Sequence, residues 1–107
     1  MSDVPETTVQ QLPSDVVLLD VREDDEWAAG HAPGAVHVPL QQIPVRLAEL
    51  PQTDPLLVVC RSGVRSAQAT AWLRQQGLPA VNVAGGMKAW AAAGRPVESD
   101  APIAAII

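Results

Sequence analysis

The sequence predicts an α/β fold, a small parallel sheet with helices on both faces, and three observations lead there. Two continuous apolar runs, Val16-Val17-Leu18-Leu19 and Leu56-Leu57-Val58-Val59, lack the polar alternation of a one-faced strand and read as strands buried on both sides. Segments with helix punctuation lie between such runs, the alternation typical of parallel sheets. The chain has 107 residues, 48% of them hydrophobic and 18% charged, with a mean hydropathy of +0.12. That is the size of one domain, and it is too apolar for disorder. The expected organisation is a single domain over residues 1–107, with its core at about 4–97 and an apolar tail at 98–107.

Taken in order, the first strand is the run at 16–19, ending at Asp20. Asp24 to Ala29 reads as a short acidic helix, because its carboxylates suit the positive end of the helix dipole and Gly30 closes it. Val36-His37-Val38 is a brief strand stopped by Pro39. Leu40 to Leu50 is predicted helical, with Pro44 either in its first turn or splitting it. After the strand at 56–59, Ser66 to Gln76 carries the strongest helix signals. These are Ser66 as N-cap, Ala-rich composition, Trp72 and Leu73 on one apolar face, and Gly77 as the stop. Val81-Asn82-Val83 is a strand stopped by Gly85-Gly86, and Met87 to Ala93 is a last helix ended by Gly94 and Pro96. Trp27, Trp72 and Trp90 are assigned to the core, and the apolar stretch from Pro102 to Ile107 either packs on the body or mediates a contact.

Composition then narrows function. The chain has no Phe and no Tyr, so its core is built from Val, Leu, Ile and Ala with three Trp, and aromatic stacking on nucleic acid is not expected. A net charge of −5 and a pI near 4.7 argue against a general binder of nucleic acid or anionic membranes. No apolar run approaches a membrane span in length. Charge is unevenly spread: residues 1–54 carry ten carboxylates against Arg22 and Arg46, whereas residues 55–97 hold Arg61, Arg65, Arg74, Lys88 and Arg95 and no carboxylate. The single cysteine, Cys60, excludes an intramolecular disulfide. Together with an opening segment, Met1 to Glu6, that has no signal character, it leads to an expected cytoplasmic location. Cys60, His31 and His37 share no paired ligand spacing, so no metal site is expected.

Ligands of parallel sheets bind at the carboxyl ends of the strands, which places Asp20 and Cys60 at one edge. Cys60-Arg61-Ser62-Gly63-Val64-Arg65-Ser66 joins the most apolar strand to the best-marked helix. Such a turn directs successive backbone N–H groups at one spot, and the helix N-terminus adds partial positive charge. Gly63 lets the backbone curl, while Arg61 and Arg65 contribute cations. A free thiol is only about a few per cent ionised at neutral pH, and surroundings of this kind lower its pKa by roughly one to several units. A lone cysteine ending a strand can also be a small buried hydrophobe. The basic, Gly-containing loop within the acid-free stretch favours a reactive cysteine and an anionic substrate.

This loop resembles the active-site loop of rhodanese-domain sulfurtransferases. Two further blocks are similar to that family: Leu19-Asp20-Val21-Arg22-Glu23 with Glu26-Trp27, Gly30-His31-Ala32-Pro33-Gly34-Ala35 and Val38-Pro39, and then Gly85-Gly86-Met87-Lys88-Ala89-Trp90. The three blocks keep the family's order and spacing over about residues 4–97. Rhodanese-like phosphatases carry a longer Cys-x5-Arg loop. Here Arg65 closes Cys-x4-Arg and Ser66 takes the seventh place, so the loop resembles the sulfurtransferase version. A phosphatase or arsenate reductase is the lesser alternative.

The resemblance implies sulfur transfer through a Cys60 persulfide, from thiosulfate or another persulfide donor to cyanide or a thiol, without a cofactor. It assigns substrate binding to Arg61, Ser62, Gly63, Val64, Arg65 and Ser66. Their backbone N–H groups hold the sulfur, and the two Arg attract an anionic donor; Arg65 is expected to be the more fixed because it begins the helix. Supporting roles are open for Asp20, which orients the loop or an Arg or merely forms a turn, and for Lys88 at the start of the last helix. Arg22 is open to a supporting role as well, though a structural ion pair with Glu23 or Glu26 is the first expectation for it, and His31 is expected to be hydrogen-bonded scaffolding. The main alternative is a sulfur-relay or protein-binding module with a protein donor or acceptor and little small-molecule turnover. Ser62 stands where some thiosulfate-specialised members carry Lys, which gives that alternative its weight.

Overall fold

Parallel pairing buries both sides of the apolar runs and sets the architecture. The computed structural model describes residues 4–107; residues 1–3, part of the opening segment read above for a signal, lie outside the described residues. Five strands form one parallel sheet: β1 (Glu6–Thr8), β2 (Leu18–Asp20), β3 (Val36–His37), β4 (Leu56–Val59) and β5 (Ala80–Ala84). Their spatial order is β1-β5-β4-β2-β3, so the all-apolar β4 takes the centre and all four of its residues are buried. The helices are α1 (Asp24–Ala29), α2 (Val64–Gln75) and α3 (Gly86–Ala92).

Side chains of β4 alternate between two cores, as the two-residue strand period requires. Leu56 and Val58 join Leu19, Ile43, Ala69 and Leu73 on the α2 side. Leu57 and Val59 join Leu18, Val83, Met87 and Trp90 on the α3 side. Helices therefore cover both faces, the architecture expected from the sequence. No described helix is long and apolar enough to cross a membrane.

Four local expectations are corrected. The edge strand β1 was not foreseen; it pairs Glu6, Thr7 and Thr8 with Asn82, Val83 and Ala84, and its Glu and Thr residues carry no apolar run. Residues 40–50 form two 3-10 turns, Leu40–Val45 and Leu47–Glu49, in place of an α-helix. Pro44 lies inside the first and cannot supply an N–H to an α-helical ladder, so the turn closes with the shorter bond from Arg46 N–H to the Ile43 carbonyl. Ser66 is not the N-cap of α2: Gly63 is, with φ 112°, and Ser66 is a buried residue of the first helical turn. Of the three Trp, only Trp90 is buried in the core, its ring N–H donating to the Pro96 carbonyl. Trp72 is half-buried against the α2-side core, and half-buried Trp27 stacks with the rings of His31 and His37, at centroid distances of 3.7 and 4.8 Å.

The tail packs on the body. Glu98 bridges antiparallel to His31, Asp100 N–H donates to the Ala28 carbonyl and Ala105 N–H to the Ala29 carbonyl. Ile106 enters the α3-side core. Gly30 makes room for this path, since a Cβ there would run into the Ala105 carbonyl.

Candidate active site

β4 delivers Cys60 to the carboxyl edge of the sheet, next to Asp20, which pairs with Val59 in the β2–β4 register. The thiol is buried, 1% exposed, beneath the loop that runs into α2. Gly63 N–H donates to Cys60 Sγ at 3.1 Å, and Ser66 Oγ lies 3.3 Å from it. The left-handed φ of Gly63 turns the chain back so that α2 begins directly over the sulfur. The ladder of α2 opens with Ala67 N–H on the Gly63 carbonyl, so the amides just before Ala67 have no acceptor within the helix. Burial pushes the Cys60 thiol up. The Ser66 hydroxyl and the backbone N–H groups of Ser66, Gly63 and Ser62 outweigh it and hold the thiol below its ordinary value.

The far side of the loop is pinned by α3. Met87 N–H donates to the Cys60 carbonyl at 2.8 Å and Lys88 N–H to the Arg61 carbonyl at 3.0 Å. With both carbonyls drawn outward, the peptide N–H groups that follow them are left for the interior of the loop. Gly86 is what permits this approach: its φ is +58°, and a Cβ there would strike the Cys60 and Arg61 carbonyls. The Gly85-Gly86 pair, read from the sequence as a strand stop, thus also shapes the site.

The charged residues divide into fixed and available. Arg65 donates to both carboxylate oxygens of Glu26 in α1, at 2.6 and 2.9 Å. The guanidinium drops the Glu26 carboxyl from its ordinary 4.5 to about 2 and is itself raised by the same pair. Arg61 donates through Nε to the Ile107 carbonyl, so the tail reaches the loop. The Lys88 side chain and Ser62 are exposed, and the Val64 side chain points outward at 68% exposure.

Arg22 does not pair with the Glu23 or Glu26 carboxylate. Wholly buried, it binds both oxygens of the equally buried Asp20, with its Nη2 at 2.7 Å from both Asp20 Oδ2 and the Gly30 carbonyl. An ion pair so enclosed is held by its full set of hydrogen bonds. It fixes the end of β2 against the end of α1. His31 is scaffolding as expected: its Nδ1 lies 2.8 Å from the Trp27 carbonyl oxygen.

The structure therefore gathers Cys60, Gly63 and Ser66, with the Ser62 amide, at one sulfur atom, and leaves Asp20, Arg22 and the Lys88 side chain engaged elsewhere or exposed. It adds three residues not singled out for the site. Glu26 holds Arg65. Asn82 of β5 lies 2.5 Å from Ser66 Oγ and donates to the Gly63 carbonyl at 3.2 Å, and Glu6 of β1 accepts from Asn82 at 2.9 Å. A buried polar residue in an otherwise apolar strand, Val81-Asn82-Val83, was the signal available for Asn82.

Residues 5–93 match the rhodanese-like domain family, and the chain belongs to it. It is 45% identical over 84 residues to a sulfurtransferase of Allochromatium vinosum, covering 78% of each chain. Its structure is similar to that of a rhodanese-related protein from Thermoplasma volcanium, with TM-score 0.79 and 29% identity over 88% of this chain and 97% of the other. It is also similar to part of a thiosulfate sulfurtransferase from Pseudomonas aeruginosa. There the TM-score is 0.68 and identity 31%, over 82% of this chain but 18% of that longer one.

Proposed function

We propose that the protein is a sulfurtransferase that carries a sulfane sulfur on Cys60. The observation that supports this most is the polar surrounding of one buried thiol, with the Gly63 N–H donating to it at 3.1 Å and the Ser66 hydroxyl within reach at 3.3 Å. In the first half-reaction the Cys60 thiolate attacks the outer sulfur of thiosulfate. A bond forms from Sγ to that sulfur, the sulfur–sulfur bond of thiosulfate breaks, and sulfite leaves with the electron pair. The negative charge then rests on the outer persulfide sulfur, where the loop amides and the N-terminus of α2 stabilise it as an oxyanion hole stabilises an oxyanion. In the second half-reaction cyanide or a thiolate attacks that outer sulfur and the Cys60 thiolate is released. No net oxidation occurs.

The relay reading draws on a specific observation. Arg65 is ion-paired with Glu26 and Ser62 offers no cation, so the loop's positive charge for an anionic small-molecule donor comes down to Arg61, whose Nε is tethered to the Ile107 carbonyl. This favours a protein persulfide as the natural donor, in the cytoplasm, over efficient turnover of thiosulfate. Thiocyanate formation from thiosulfate and cyanide, compared with transfer from a persulfidated cysteine desulfurase, tests the choice. Faster loading from the protein donor supports the relay reading. Rapid turnover with thiosulfate supports the small-molecule enzyme, and loss of both in Cys60→Ser is required by either.

A further inference from the structure

Ser66 Oγ has one proton and two acceptors competing for it, Cys60 Sγ at 3.3 Å and Asn82 Oδ1 at 2.5 Å. Both Ser66 and Asn82 are buried, at 0% and 1% exposure. The orientation of the Asn82 amide is settled by its neighbours. Its nitrogen faces two groups that only accept, the Glu6 carboxylate at 2.9 Å and the Gly63 carbonyl at 3.2 Å. A flipped amide would set its oxygen against both. Oδ1 must therefore face Ser66, and the short distance places the hydroxyl proton on the Asn82 side.

We infer that Asn82, held by Glu6, is a positioning residue that sets where the Ser66 proton points and so disfavours the free Cys60 thiolate relative to both the thiol and the sulfur-loaded form. In the thiol state Cys60 S–H donates to Ser66 Oγ, which donates to Asn82 Oδ1, and every group is satisfied. When the thiol proton leaves to solvent, the thiolate draws the Ser66 hydroxyl to itself, and the buried Asn82 oxygen loses its donor. Leaving a buried acceptor unpaired is unfavourable. Once a sulfur is loaded, Sγ is a bridging atom without charge and the hydroxyl returns to Asn82. The thiolate is thus the one state of the three in which Asn82 Oδ1 goes without the Ser66 proton. This last step rests on the sulfurtransferase reading; the thiol-to-thiolate step does not.

The charged groups around Cys60 from each packed element are Arg61 in its loop, Arg65 in α2 with its partner Glu26 in α1, Asp20 and Arg22 at the end of β2, and Lys88 in α3. Glu6 of β1 reaches the thiol only through Asn82. His37 faces the Arg22 carbonyl and His31 that of Trp27. None of these contacts the Ser66 hydroxyl.

The test follows the rate of Cys60 alkylation by iodoacetamide across pH, with the ultraviolet absorbance of the thiolate, in the full chain. Asn82→Leu, of similar volume, and the surface variant Glu6→Ala are each measured alone and with Ser66→Ala. Asn82→Leu is expected to raise alkylation at neutral pH on the order of 2- to 10-fold, the worth of one neutral hydrogen bond, and to move the profile to lower pH. Glu6→Ala moves it the same way by less, and both effects vanish when Ser66 is Ala. An unmoved profile in folded Asn82→Leu, or a shift that persists with Ser66→Ala and so acts through space, overturns the inference. Should Asn82→Leu not fold, Glu6→Ala decides: no shift, or a shift independent of Ser66, overturns it equally. Alkylation reads the thiol whether or not sulfur is transferred, so a protein that loads no sulfur from any donor would refute the proposed function while leaving this result to be judged separately.

Discussion

Arg65 and Glu26 join α2 to α1 across 39 positions of sequence, and the pair makes stability depend on acid. The folded-state pKa of Glu26, about 2, lies below its ordinary 4.5. A depressed carboxyl contributes stability that is present above the unfolded value and is lost as pH falls through the folded one. Urea unfolding of the wild type is therefore expected to weaken as pH drops from about 4.5 toward 2, and Glu26→Gln is expected to flatten that segment of the curve. A curve of unchanged slope in Glu26→Gln would mean that the pair contributes nothing, as exposed pairs often do. The substitution also frees Arg65, so loading of Cys60 by thiosulfate should rise if scarcity of free cations in the loop is what limits an anionic donor. The cysteine loop was legible because its chemistry is contiguous from Cys60 to Ser66. Glu26, Asn82 and Glu6 were not, because they reach it from other elements, Glu6 and Asn82 being 76 positions apart.

Among the elements, α3 has the most direct claim on the site, since its first amides hold the Cys60 and Arg61 carbonyls. Gly86→Ala would force a left-handed φ on a residue with a Cβ and drive that Cβ into the loop backbone. The expected cost is about 2 kcal/mol or more in chemical denaturation, with slower Cys60 alkylation as the loop amides lose their aim. Normal stability with normal reactivity would show that the loop keeps its shape without α3. Local signals were reliable where burial and propensity agreed. The strand Leu56–Val59 and the helix Asp24–Ala29 fall on their predicted bounds, the first all apolar at the sheet centre and the second fixed by its acidic first turn and Gly30. They failed where a tertiary partner supplies the structure. β1 is an edge strand whose Glu and Thr residues are ordered by pairing with β5, and residues 40–50 look helical in composition but carry Pro44 where an N–H is needed.

For the whole molecule, the parallel sheet brings the carboxyl ends of β2 and β4 to one edge, so Asp20 and Cys60 lie side by side there, as the strand-end rule for parallel sheets expects from the sequence. The tail closes around the same edge, from the Ala28 and Ala29 carbonyls through the α3-side core to Arg61. Nothing in its sequence distinguished packing from contact-making, because the recipient groove is made by Gly30, whose lack of a side chain is invisible as an attractive feature. Deleting residues 103–107 should cost about 1 kcal/mol through loss of half-buried Ile106. It should also release Arg61, measurable as a lower denaturation midpoint and a higher rate of loading by thiosulfate. An unchanged loading rate would mean that the Arg61 contact with the tail does not bear on the donor.

The central claim is that Cys60 carries the transferred sulfur, and intact mass spectrometry after incubation with thiosulfate tests it most directly. The account predicts a single added sulfur atom in the wild type, none in Cys60→Ser, and its removal by a cyanide or reductant chase. Loading from a persulfidated protein but not from thiosulfate would assign the chain to sulfur relay. No adduct from thiosulfate, polysulfide or a protein persulfide would contradict the account and leave a domain of this fold without the chemistry.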